Sequence, residues 1–258
     1  MMQRSPPEGK GHEAWGRLTL WVSHHRPVAR LVSLTAGMVV FLAFLPSYMR
    51  IAFWDGLQSH KNLASMLLVF SLLAISLVWS TGQYLDAWIF MFFNVWGSRP
   101  IWLDRMMLGF TQIGSGIAAL VIALVLFLAG DRLLSYELML GALTLWLVVE
   151  LMKFLVHRSR PFIRLDQARI VGYRAIGRSF PSGHTSQAFF MATLLSHQFQ
   201  LGMGGTFALY AIAVLVGFTR MYVGAHYPRD VIGGAVLGSI WGVLATLVEP
   251  YWLVGLRF

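Results

Sequence analysis

Apolar residues along this chain gather into blocks separated by short polar breaks. A helix needs about 20 apolar residues to cross the hydrocarbon of a bilayer. Blocks at 28–45, 63–79, 113–129, 135–151, 186–201, 207–218 and 231–248 reach or approach that length. The sixth is short and must borrow flanking residues, and Pro46 and Arg50 interrupt the continuation of the first. Between the second and third blocks, 84–105 is rich in Trp and Phe but broken by Asp86, Asn94, Gly97, Pro100 and Asp104. Such a mixture predicts an amphipathic helix lying in the interface, not a span. Residues 1–30 are polar, and their one apolar run, 18–22, is too short for a cleavable signal peptide. With no repeat and no low-complexity tract, the pattern predicts one all-α, polytopic transmembrane bundle. A polar segment covers 1–27 and the membrane domain covers 28–258.

Composition agrees. The 258 residues are 57% hydrophobic and 12% charged, with a mean hydropathy of +0.65. Soluble domains carry about 25% charged residues. The net charge of +9 could point to nucleic acid, but its distribution argues against that partner. Seven of the 20 Lys and Arg fall between Lys153 and Arg178, against the single acid Asp166, which fits a local anion site or a headgroup-facing loop. The absence of cysteine excludes disulfides and thiolate chemistry.

Three polar segments stand at the ends of apolar blocks. The first is K-F-L-V-H-R-S-R-P, from Lys153 through Arg160 to Pro161. The second is P-S-G-H, Pro181 to His184. The third, T-R-M-Y-V-G-A-H-Y-P-R-D, runs from Thr219 and Arg220 through His226 to Asp230. Residues 185–218 suffice for two crossings and a turn at Gly202, Gly204 and Gly205, returning the chain to the face it left. The longest polar connection, 161–180, stays on that face too. All three segments are therefore expected at one membrane surface.

Their chemistry is that of a multiply charged anion. Arg forks match phosphate oxygens in bidentate fashion, and Lys adds a point charge, so Lys153, Arg160 and Arg220 converging would need such a ligand. Ser182 and Gly183 ahead of a helix offer a hydroxyl and N–H groups at the positive end of a helix dipole. His226 and Asp230 stand four apart, so the carboxylate could hold one ring nitrogen and leave the other free to attack. His184 could supply and later remove the proton. Glu150, a carboxylate near the end of a span, calls for a partner, and Lys153 lies one turn on. No cofactor is expected.

These segments resemble the three-part signature of the type 2 phosphatidic acid phosphatase superfamily, K-x6-R-P, P-S-G-H and S-R-x5-H-x3-D. The layout from about 60 to 248 is similar to that family's six-helix core, to which 28–45 would add an N-terminal span. The resemblance implies a phosphohistidine at His226, His184 as acid and base, and Asp230 as the histidine's partner. It assigns the phosphate to Lys153, Arg160, Ser182, Gly183 and Arg220. Thr219 stands where the family has Ser, which retains the hydroxyl. The substrates implied are phosphatidic acid, phosphatidylglycerol phosphate or a polyprenyl diphosphate such as undecaprenyl diphosphate, in the plasma membrane.

Competing readings remain at this level. A phosphotransferase would use the same residues, and a non-catalytic protein that binds or transports anionic lipid would need the cations alone. The soluble vanadium haloperoxidase branch fits poorly with seven apolar segments. A metal held by His157, His184 and His226 would be repelled by the fixed cations. Taken singly, Lys153 and Arg158 read as interfacial anchors. Seven spans put Arg4, Lys10, Arg17, Arg26 and Arg30 on the face of the basic loop, which by the positive-inside rule is cytoplasmic. The resemblance places the site on the extracytoplasmic face instead.

Overall fold

The structure, a computed structural model, describes residues 46–77, 80–95 and 99–255, with Ala36, Val40 and Phe44. The polar segment 1–27 and nearly all of the expected span 28–45 lie outside that set. Ten helices follow, and no strand occurs among the described residues. They are α1 (Ser47–Ser59), α2 (Lys61–Ser76), α3 (Ser80–Asn94), α4 (Ile101–Gln112) and α5 (Gly116–Leu128). Then come α6 (Arg132–Val156), α7 (Pro161–Arg164), α8 (Gly183–Gln198), α9 (Met203–Tyr222) and α10 (Pro228–Gly255).

Among the described residues, the apolar blocks from 63 onward lie largely in helices whose ends the sequence marks locally. Asp131 caps α6, its Oδ1 accepting from Leu134 N–H at 3.1 Å, as a short polar side chain at that position should. The helix stops at His157, which turns left-handed at φ 57°. α9 supplies the flanks that 207–218 needed.

Among the described residues, three helical stretches are long and apolar enough to cross a membrane alone: Arg132–Arg164, Met203–Tyr222 and Pro228–Val248. Two bent pairs raise that number to five: Lys61–Ser76 with Thr81–Asn94, turned by 94°, and Ile101–Gln112 with Gly116–Leu128, turned by 56°. The expected single interfacial helix over 84–105 is thus two helices, the second leading into a span. Pro100, the N-cap residue of α4, separates them, since proline disfavours helical backbone at the residue before it. The second bend has its own cause. A Cβ on Gly114 would lie 2.4 Å from the His184 carbonyl oxygen. The chain passes close to α8 there, and Ser115 restarts the helix as its N-cap.

The segment expected to span at 186–201 is the 16-residue α8, the most enclosed helix of the bundle. It packs mainly on α10 and α9, then on α6. Gly234, Gly238 and Gly242 let α10 approach it. A Cβ at Gly238 would sit 2.1 Å from the Ser186 carbonyl oxygen, and one at Gly242 would sit 2.4 Å from Thr193 Cβ. Small residues at this spacing allow close helix contact where lipid supplies no hydrophobic drive. The main core joins Leu134, Leu138, Leu145, Phe190, Leu194 and Ile240. The opposite faces of α5 and α6 expose Leu120, Leu124, Leu143, Trp146 and Leu147. Buried inside and apolar outside, the bundle is that of a membrane protein.

Candidate active site

The three polar segments meet at one end of the bundle. The Ser182 N–H donates to the Asp230 carbonyl at 2.9 Å, tying the second segment to the third. Ser182 heads α8 without capping it through its side chain, and its Oγ accepts from Thr185 Oγ1 at 2.9 Å. The hydroxyl hydrogen and the first N–H groups of α8 therefore remain as donors at a helix N-terminus.

Arg160 leaves the end of α6 and is held by four neutral partners. It donates to the carbonyls of Gly177 (3.1 Å), Ile176 (2.8 Å) and Ala225 (3.0 Å), and its Nη1 lies 3.3 Å from His226 Nε2. Arg220, in the last turn of α9, donates to Thr111 Oγ1 at 2.8 Å. Both guanidiniums are buried. Neither has a carboxylate within ion-pair reach among the described residues.

His226 departs from the expected arrangement. Its Nδ1 lies 2.8 Å from the Ser179 carbonyl oxygen, while the nearest Asp230 oxygen is 3.8 Å away. A carbonyl can only accept, so Nδ1 carries the hydrogen and Nε2 keeps its lone pair. Asp230 instead receives Tyr227 N–H at 2.8 Å, the Ser179 hydroxyl, and Arg158 Nη1 at 2.5 Å. The carboxylate thus fixes the residue whose carbonyl holds the histidine.

Electrostatics sets the protonation. Burial first, then Arg160 and Arg220, push the His226 imidazole down to about 3, against a contribution from Asp230 that raises it. His184, in the first turn of α8, is likewise pushed down to about 3 by burial, then by Arg220, His226, Lys153 and Arg160. Both rings are neutral near pH 7. A phosphate dianion entering this field would oppose the arginines and restore basicity to His184.

The remaining residues fall into place around this centre. Lys153 is paired with Glu150 at 2.7 Å, as their spacing predicts, and still acts on His184. Gly183 has room, since a Cβ there would meet only Val149 at 3.5 Å. Thr219 is buried and donates to the Val216 carbonyl at 2.6 Å. His157 stands outside, its Nδ1 near the Phe154 carbonyl.

Several residues outside the expected phosphate and histidine set also shape the site. Arg158, which resembles an interfacial anchor, is buried on Asp230 and over the Tyr227 ring at 4.4 Å. Asn94 accepts from Arg169 N–H at 2.7 Å and donates to the carbonyls of Arg169 (2.9 Å) and Tyr222 (2.7 Å). Asp104 binds Arg169 and the Tyr222 hydroxyl. Together they pin the 161–180 connection over the end of α9, from which its carbonyls reach Arg160.

Residues 132–253 match the PAP2 superfamily. Lipid A 1-phosphatase of Rhizobium johnstonii is 36% identical over 110 residues, 40% of this chain and 42% of that protein. Undecaprenyl-diphosphatase BcrC of Bacillus subtilis is 30% identical over 157 residues, 58% of this chain and 78% of that protein. The crystal structure of a transmembrane PAP2 type phosphatidylglycerolphosphate phosphatase from Bacillus subtilis superposes with a TM-score of 0.64 at 25% identity. That match covers 73% of this chain and 96% of that one. The chain spans about half the length of the first curated relatives it matches, from 42% to 62%. Its three segments, its helical fold and these likenesses agree, and the chain belongs to the PAP2 superfamily.

Proposed function

We propose that this chain is a multi-pass membrane phosphatase that hydrolyses the phosphate or diphosphate of a lipid, with His226 as nucleophile and without a metal ion. One observation carries the reading. The His226 ring, tied through Nδ1 to the Ser179 carbonyl, presents its Nε2 lone pair beside two buried arginines that have only neutral partners among the described residues. Nε2 attacks phosphorus, the P–N bond forms, and the P–O bond to the lipid breaks as His184 gives its proton to the leaving oxygen. Water then attacks the phosphohistidine, His184 takes that water's proton, and inorganic phosphate leaves. Arg160 and Arg220 stabilise the charge that develops on the equatorial oxygens, with Lys153, the Ser182 hydroxyl and the N–H of Gly183 completing the seat. Asp230, Glu150 and Thr219 hold these groups in place.

The lipid class follows from position, since the seat lies at the end of an apolar bundle where a headgroup arrives while its chains stay in the bilayer. Relatives named lipid A 1-phosphatase, undecaprenyl-diphosphatase and phosphatidylglycerophosphatase B support that class. We place the site on the extracytoplasmic face of the plasma membrane. Phosphate release from phosphatidic acid, phosphatidylglycerol phosphate and undecaprenyl diphosphate tests the activity, with His226→Ala as control. Turnover that survives this substitution, or transfer to a lipid acceptor with little free phosphate, would sink the hydrolase reading. Single cysteines in the 161–180 loop, probed with an impermeant thiol reagent, test the face.

A further inference from the structure

Behind His226, on the side away from the phosphate seat, lies a second charged cluster that reaches into α2 and α3. Asp86 of α3 is buried at 2% exposure. Its Oδ2 accepts from Arg158 Nη2 and, at 2.7 Å, from Arg229 Nε, and its Oδ1 accepts the Arg229 N–H at 3.1 Å. Arg158 Nη2 also donates to Gln83 Oε1 at 3.0 Å. Arg229 is anchored further by the Ser76 carbonyl (2.5 Å) and hydroxyl (3.1 Å). A Cβ on Gly82 would lie 2.6 Å from Arg229 Nη1, so this glycine leaves the guanidinium its path. Two carboxylates and two guanidiniums thus form a charge-balanced quartet: Asp86, Asp230 and Arg158, all buried, and the half-buried Arg229.

Arg158 is the hinge of this cluster. One η nitrogen serves Asp230 and the other serves Asp86, a fork that only a planar guanidinium can span. Asp230 in turn holds the Ser179 hydroxyl, and the Ser179 carbonyl holds His226 Nδ1–H. The chain of contacts is therefore Asp86, Arg158, Asp230, Ser179, His226. Asp86 lies outside residues 132–253, the part that matches the family.

We propose that Asp86 is a positioning residue for the reaction, which through Arg158 fixes Asp230 and Ser179 and so sets the tautomer and aim of the attacking His226. With Asp86 neutral, Arg158 keeps one carboxylate and is free to draw Asp230 out of register. The Ser179 carbonyl then loses its lock, and the Nδ1–H form of His226 loses its acceptor. Partners one contact removed from a reacting ligand typically cost on the order of 10- to 100-fold when lost. Only the kinetic readout rests on the phosphatase reading.

Two measurements on the full chain in detergent micelles test this. The first is NMR of nitrogen-labelled histidines, with the His226 signal assigned by its loss in His226→Ala. The wild type should show Nδ1 protonated and Nε2 bare. Asp86→Asn should give a tautomer mixture, and Asp86→Glu should keep the wild-type form. An unchanged His226 signal in folded Asp86→Asn overturns the proposal, whatever the enzyme's substrate. The second is hydrolysis of undecaprenyl diphosphate. Asp86→Asn should lower kcat roughly 10- to 100-fold with KM within about twofold, and Asp86→Glu should restore much of it. Arg229→Gln removes the other cation from Asp86 without touching Arg158, and should lower Tm while leaving kcat within about twofold of wild type. Equal loss of kcat in Asp86→Asn and Arg229→Gln would make the role merely structural and refute it. Should Asp86→Asn not fold, Arg158→Lys, which can reach only one of the two carboxylates, must show the same tautomer change and kcat loss. A wild type inactive on this lipid, with its tautomer responding as described, would fault the substrate reading and leave the positioning role standing.

Discussion

Four arginines cluster around His226 and Asp230, three of them buried and Arg229 half-buried, and they divide into two pairs that behave differently. Arg158 and Arg229 sit behind the histidine, each on a carboxylate. Arg160 and Arg220 sit before it, bound to carbonyls, a hydroxyl and the imidazole itself. The first pair is a closed account of charge, while the second keeps its full positive charge for whatever approaches Nε2. An anion seat is therefore marked less by its number of arginines than by the carboxylates missing around some of them. Leaving a buried cation uncompensated costs stability, and that cost persists where a ligand repays it.

The largest effect that could break this contrast is on folding. Arg158→Met strands Asp230 in a dry site and should destabilise the protein by about 3–5 kcal/mol. Arg220→Met removes a cation that no carboxylate pairs among the described residues, and should change stability by less than about 1 kcal/mol or raise it. Unfolding of both variants in the same micelle measures the difference, and equal losses would erase the distinction between the pairs. Activity should read the other way. Arg220→Met and Arg160→Met should each lower kcat/KM on the order of 10²- to 10³-fold, the effect of removing one donor aimed at developing charge. Next, inorganic phosphate at about 100 times its Kd should stabilise the wild type by about 2.7 kcal/mol, and Arg220→Met should show little of that gain.

How far the sequence revealed this contrast depends on the residue. Arg160, Arg220, Ser182, His184, His226 and Asp230 could be singled out because their types and spacing were unusual at the ends of apolar blocks. The positions of α6 and α10 followed from apolar length alone, while α9 needed flanking residues beyond its short apolar block. Asp86, Asn94 and Asp104 looked like interruptions of an aromatic stretch, since the partners that explain them are far along the chain, as Arg158 is from Asp86 by 72 residues. Arg158 was indistinguishable from a snorkelling anchor, because a basic residue just past a span is also what an interface selects. Ser179 acts through a backbone carbonyl, which no side-chain pattern encodes. The closeness of α8 to α10 was written in Gly234, Gly238 and Gly242, a stripe that hydropathy does not weigh.

The smallest effect concerns protons. With both imidazoles near 3 in the free site, His184 and His226 should stay neutral from pH 8 to 5 by histidine NMR. In that window the unfolded chain binds protons that the folded one refuses below the ordinary histidine value of about 6.5. Stability should therefore fall as pH drops through it. A ring that charges near 6.5 in the free protein would show that neither burial nor the front arginines depress it.

The most direct measurement is the covalent intermediate itself. The chain, mixed with undecaprenyl diphosphate carrying a radiolabelled terminal phosphate and quenched within a turnover, should carry an acid-labile, base-stable phosphate that maps to His226. His184→Gln should slow its hydrolysis, and His226→Ala should carry none. Label on any other residue, or turnover undiminished in His226→Ala, would contradict a nucleophilic role for His226.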